Sequence, residues 1–242
     1  MQASALEFRL RMPVIAAVIA LGFWSPWIEI LGVGKRQPLL GWLALELAHR
    51  LGLEFRVAAA TAILLGTAVA AVAAVLRVWG TAYLGAGVVT HVQMQAGHMM
   101  ADGPYRYMRN PLYLGTWLMA AAMGFAMPPT GAAMALVLLA VFSLRLIGGE
   151  EAFLRGRLGD AYEAYCANVP RLLPRLRTTV AHGDARPRWG RALLSEINAI
   201  GVLVALGVFG WSYNNWRIVQ VILIGFGASL VTRAFIGPDV EG

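Results

Sequence analysis

Long apolar runs alternate along this chain with short polar segments, and the runs set the expected elements. Stretches at about 13–33, 57–79, 111–127, 131–149 and 192–212, with a sixth at 216–236, are long enough, or nearly so, to cross a bilayer as helices rising about 1.5 Å per residue. No period-two alternation competes with them, so helices are expected and strands are not. Residues 38–51 are apolar but too short to cross and carry Glu46, His49 and Arg50, which predicts an interfacial or re-entrant helix. The first run carries Trp24, Pro26 and Trp27 and lacks a clear small-residue cleavage site, so it reads as a retained span and not as a signal peptide. Pro128-Pro129-Thr130-Gly131 predicts a tight turn that joins the third and fourth spans as an antiparallel hairpin. A short amphipathic helix is expected over 158–165, stopped by Pro170 and Pro174.

Composition makes the bilayer the solvent. The 242 residues are 59% hydrophobic and 14% charged, with mean hydropathy +0.64, outside the range of a soluble domain. The expected fold class is therefore all-α, a polytopic integral membrane protein of about six transmembrane helices. With the N-terminus inside, fifteen of the twenty basic residues fall on or near the cytoplasmic side, leaving Lys35, Arg36, Arg50, Arg56 and Arg217 outside. That split predicts both termini in the cytoplasm, in a membrane such as the bacterial inner membrane. The net charge of +7 is then first a topology signal and second an attraction for anionic membrane lipids. Nucleic acid is not an expected partner, because the arginines follow membrane boundaries. Segments 80–110 and 150–190 should be neighbours at the cytoplasmic face, and an active site built from them is expected there. Residues 171–191, rich in Arg and Pro, read as a linker to a final hairpin. The expected division is 1–79 for N-terminal helices, 80–176 for a functional core and 177–242 for the linker and hairpin.

The polar chemistry concentrates in two places. In Gly103-Pro104-Tyr105-Arg106-Tyr107-Met108-Arg109-Asn110-Pro111-Leu112-Tyr113-Leu114-Gly115, Gly103-Pro104 makes a turn, Asn110 suits an N-cap and Pro111 a first helical position. A helix starting at Pro111 aims its free N–H groups and positive dipole end at the Arg/Tyr cluster, which suits a carboxylate or phosphate. The plainer reading is an interfacial anchor of tyrosines and arginines at headgroup level. The second place is Glu150-Glu151 at the end of the fourth span. Glu151 stands four before Arg155, which predicts a solvated ion pair. Glu150 has Leu146, Ile147, Phe153 and Leu154 as its helical neighbours, so its carboxylate lies on an apolar face and requires either a ligand or an arginine such as Arg109. Cys166 is the only cysteine, which excludes an intrachain disulfide, and His49, His91, His98 and His182 lack metal-ligand spacing, so no metal is expected. Gly85-x-Gly87 does not extend to a dinucleotide fingerprint.

These motifs, followed in order by Glu150-Glu151-x-x-Leu154, Leu158-Gly159-x-x-Tyr162-x-x-Tyr165 and Val169-Pro170-Arg171-x-x-Pro174, resemble the membrane methyltransferases related to isoprenylcysteine carboxyl methyltransferase and the phospholipid methyltransferases. The resemblance spans about 76–176. It implies an S-adenosyl-L-methionine site at the cytoplasmic ends of the helices and a lipophilic acceptor, whether an isoprenylcysteine-like carboxylate, a phospholipid amine or another small lipid. It also implies that Tyr105, Asn110, Pro111, Leu112, Tyr113 and Glu150 contact the cofactor, with His98, Met99 and Met100 near the family's histidine segment. Arg109 and Arg145 are the expected catalytic residues, Arg145 as the nearest counterpart of the family's substrate-contacting arginine. Two rival readings are a sterol-reductase-like oxidoreductase using NADPH and a non-enzymatic scaffold or transporter. Neither the acceptor nor the oligomeric state follows from the sequence.

Overall fold

A computed structural model of the chain describes residues 3–84 and 98–212, the short stretch 93–95, and positions 217, 220, 221, 224, 225, 227, 228 and 231. The helices are α1 (Ala5–Arg9), α2 (Arg11–Trp24), α3 (Trp27–Ile30), α4 (Leu39–Leu51), α5 (Phe55–Tyr83), α6 (Pro111–Gly124), α7 (Pro129–Leu158), α8 (Asp160–Asn168), α9 (Trp189–Ser195) and α10 (Ile197–Ser212). A 3-10 turn covers Gly103–Arg106, and three short strands are β1 (Gln93–Gln95), β2 (His98–Ala101) and β3 (Ala181–His182).

The helical expectation holds, and two or three of the expected spans are found among the described residues. Among the described residues α5 and α7 are long and apolar enough to cross a membrane, and α9 with α10 makes a third span if the pair, bent by 68°, is taken as one. The expected first span, 13–33, breaks at Trp24. Ser25 adopts a left-handed conformation (φ 43°), its Oγ donates to the Gly22 carbonyl at 2.6 Å, and Pro26 follows. Hydropathy cannot register such a break, because the residues on both sides of it remain apolar. The expected third span shortens to the 14 residues of α6, roughly 21 Å of helix. The sixth, 216–236, lies mostly outside the described residues. The short apolar helix expected over 38–51 is α4.

Small residues set how closely the helices approach. A Cβ on Gly115 of α6 would stand 2.6 Å from Arg77 Cγ of α5, and one on Gly131 of α7 would stand 2.1 Å from the Gly22 carbonyl of α2. Both crossings are contacts in which backbone meets backbone or a side-chain stem, an approach that larger residues prevent. The hairpin of α6 and α7 is as expected, tied by Trp117 Nε1 donating to the Leu136 carbonyl at 3.0 Å. Its turn falls at 125–128, earlier than expected, because Pro129 takes the first helical position, for which its fixed φ is suited.

At the other end of α6 the segments 80–110 and 150–190 come together. The Arg109 amide donates to the Pro170 carbonyl (2.9 Å), Arg175 to Tyr107 (3.0 Å) and Arg188 to Ala82 (2.8 Å). Asp102 is buried and accepts from the Gly183 and Ala185 amides. Ala101, Tyr162, Tyr165, Val169 and Val180 form a buried cluster here. Residues 171–191 are held to this end by these contacts. One expectation is corrected. Strands do occur, β1 pairing antiparallel with β2 and β2 parallel with β3, but at two to four residues each they are too short to give a period-two signal.

Candidate active site

The site is built on the first turn of α6. Asn110 is the N-cap residue by position, but its side chain does not cap the helix, and its Nδ2 donates instead to the Arg171 carbonyl at 3.0 Å. Pro111 has no N–H, and the amides of Leu112 and Tyr113 precede that of Leu114, the first to donate within the helix, to the Asn110 carbonyl at 3.2 Å, so they remain available at the helix's positive end. One turn of side chain away, the Tyr113 hydroxyl donates to Glu150 Oε1 at 2.8 Å. Glu150 is half-buried, and its second oxygen has no hydrogen-bond partner among the described residues.

Around this pair lies a cavity of about 420 Å³ between α2, α5, α6, α7 and α8. That volume is in the range of small-molecule sites. Tyr105, Arg109, Asn110, Pro111, Leu112, Tyr113 and Glu150, all singled out in the sequence, line it together. Residues 61–161 match the family model described as phospholipid methyltransferase. Over that segment, which is less than half of the chain, the protein is similar to this family. No curated protein and no solved structure matches. The family segment runs from within α5 to the start of α8 and holds Tyr105, the α6 turn, Glu150 and Glu151, in agreement with the resemblance read from the motifs. The long apolar helices α5 and α7 agree with an integral membrane protein.

The cavity also takes residues from beyond the family segment. Arg11 of α2 and Tyr162 and Tyr165 of α8 line it, as does Arg77 of α5 within the segment. Nothing in the sequence around Arg11 separates a cavity arginine from a boundary arginine. The tyrosines form one wall. Tyr165 donates its hydroxyl to the Tyr105 carbonyl at 2.7 Å. Burial pushes the Tyr105, Tyr162 and Tyr165 phenols well above their usual range, so they are neutral donors and flat apolar faces at physiological pH.

The acidic pair corrects one expectation. Glu151 does not pair with Arg155, which instead holds Glu163 at 2.7 Å. Glu151 is only 1% exposed and accepts from Arg171 Nη2 and Nε, with Arg109 Nη2 at 3.4 Å. The chain turns back after Pro170 and lays Arg171 across α7, so a cation twenty residues away displaces the one four residues away. The expected alternative of Arg109 pairing with Glu150 is likewise not what forms. Arg109 serves Glu151, and its Nε is buried without a partner among the described residues. Arg145 does not line the cavity: it holds Glu7 of α1 with two hydrogen bonds, at 2.8 and 3.0 Å. His98, Met99 and Met100 form β2 by their backbone, and their side chains lie outside the described residues.

Proposed function

We propose that the protein is an S-adenosyl-L-methionine-dependent membrane methyltransferase acting on a lipophilic acceptor. The observation that supports this reading is the gathering of Tyr105, Arg109, the Asn110–Tyr113 turn and Glu150 around one cavity of small-molecule size. The donor set fits a zwitterionic, cationic ligand with an aromatic base: a half-buried carboxylate with a free oxygen, a helix N-terminus with free amides, and a tyrosine wall. When bound, S-adenosyl-L-methionine supplies an electrophilic methyl on a sulfonium.

In this reading Glu150 holds a positive group of the ligand, and Tyr113 fixes the carboxylate by its hydroxyl. The Leu112 and Tyr113 amides hold a carboxylate, and Tyr105, Tyr162 and Tyr165 pack the base. Arg109, with a buried unpartnered Nε at the cavity wall, is the arginine that contacts the acceptor. Arg145 acts elsewhere, by fixing α1 on α7. Methyl transfer is an in-line displacement, so the residues contribute alignment and exclusion of water more than covalent chemistry. A carboxylate or thiolate acceptor needs no general base, and an amine needs one.

Calorimetry of the purified protein with S-adenosylhomocysteine and with NADPH tests the cofactor: the first should bind and the second should not. The reverse result would establish the reductase reading. Incubating membranes with methyl-labelled cofactor and extracting the labelled lipid then identifies the acceptor.

A further inference from the structure

A second buried charge cluster joins the C-terminal helices to the cavity. Glu196 stands at the 68° bend between α9 and α10 and is 5% exposed. Arg77 of α5 donates to both of its oxygens, from Nε at 2.5 Å and Nη2 at 3.0 Å, and Thr81 Oγ1 donates at 2.7 Å. The remaining terminal nitrogen of Arg77, Nη1, donates to Thr116 Oγ1 at 2.5 Å and lies 3.5 Å from the Leu112 carbonyl. One line of polar contacts thus runs from the bend, through α5, to the first two turns of α6. Arg77, Leu112 and Thr116 all line the cavity.

Two features separate this cluster from ordinary packing. A buried ion pair among apolar helices is often no more stable than the apolar residues that could replace it, so stability alone does not account for it. The stem of Arg77 can pass α6 only because position 115 is glycine, where a Cβ would stand 2.6 Å from Arg77 Cγ. The crossing of α5 and α6 is therefore shaped around the guanidinium.

We infer that Glu196 is a positioning residue: by orienting Arg77 it holds the Leu112–Thr116 stretch of α6 at the cavity wall. The bent C-terminal helix pair, outside the family segment, is then part of the functional site. This rests on the reading of the α6 first turn as cofactor-binding.

The test uses the full-length protein in detergent, with Glu196→Gln and the double variant Arg77→Met/Glu196→Leu. Amide exchange over 110–117 should rise about tenfold in Glu196→Gln, and S-adenosylhomocysteine should bind about tenfold more weakly, the scale of one lost charge-assisted contact. The double variant, with an apolar pair in place of the charges, should melt near or above wild type yet keep the fast exchange. Exchange restored to wild type in the double variant would show a merely structural role and overturn the inference, as would unchanged exchange in Glu196→Gln. If the wild type fails to bind S-adenosylhomocysteine, the proposed function falls, while the exchange comparison still decides the role of Glu196.

Discussion

Glu150 opens one oxygen to the cavity while Glu151, its neighbour in sequence, lies under Arg109 and Arg171, and the two should respond differently to the same substitution. Glu150→Gln should leave melting near wild type and weaken S-adenosylhomocysteine binding by about 1.5 to 3 kcal/mol, one to two powers of ten, the worth of a hydrogen bond to a charged group. Glu151→Gln should lower stability by about 3 to 5 kcal/mol, because two guanidinium groups lose the buried carboxylate between them. Melting curves and calorimetry on both variants check this. Equal melting would remove the buried role of Glu151, and equal affinity would remove the ligand role of Glu150. Glu150 was legible in the sequence because its helical neighbours are apolar on every side. Glu151 was not, since its partner Arg171 arrives from another segment and only the fold places it.

Among the elements, α1 shows how a short helix is recruited to a long one. Ser4 and Glu7 form a reciprocal capping box, Glu7 pairs with Arg145, and the Ala3 amide donates to the Arg145 carbonyl at 3.0 Å. The Arg145 guanidinium holds the Glu7 carboxyl down to about 2, against an ordinary 4.5. A depressed carboxylate contributes its tie fully above the ordinary value and loses it as pH falls through the folded one. Hydrogen exchange over residues 3–10 should therefore speed up as pH drops from about 4.5 toward 2, after correction for intrinsic rates, and should be fast throughout that interval in Arg145→Met. Protection that stays constant over this interval in the wild type would break the assignment. The same end of the chain shows what hydropathy misses. The apolar run 13–33 is long enough for one span, yet a left-handed Ser25 and Pro26 divide it into α2 and α3.

For the whole molecule, the arginine distribution proposes which end faces the cytoplasm. With Cys166 replaced by Ser, a cysteine at the exposed Ala126, in the α6–α7 turn, should react with an impermeant reagent from outside, and one at the exposed Asp184, near the cavity end, should not. The opposite pattern would turn the molecule over. The sequence by itself determined the helical class, the α6–α7 hairpin, the start of α6 at Pro111 and the part of the cavity wall formed by Tyr105, Arg109 to Tyr113 and Glu150, because apolar runs, proline positions and helical spacing are local properties. Tertiary structure decided which charges meet. Arg171 over Glu151, Arg145 on Glu7, Arg77 on Glu196 and Arg11 at the cavity join residues from 20 to more than 100 positions apart or from separate helices. A buried charge takes the partner that the packed helices bring within hydrogen-bond reach, and distance along the chain carries no record of that choice.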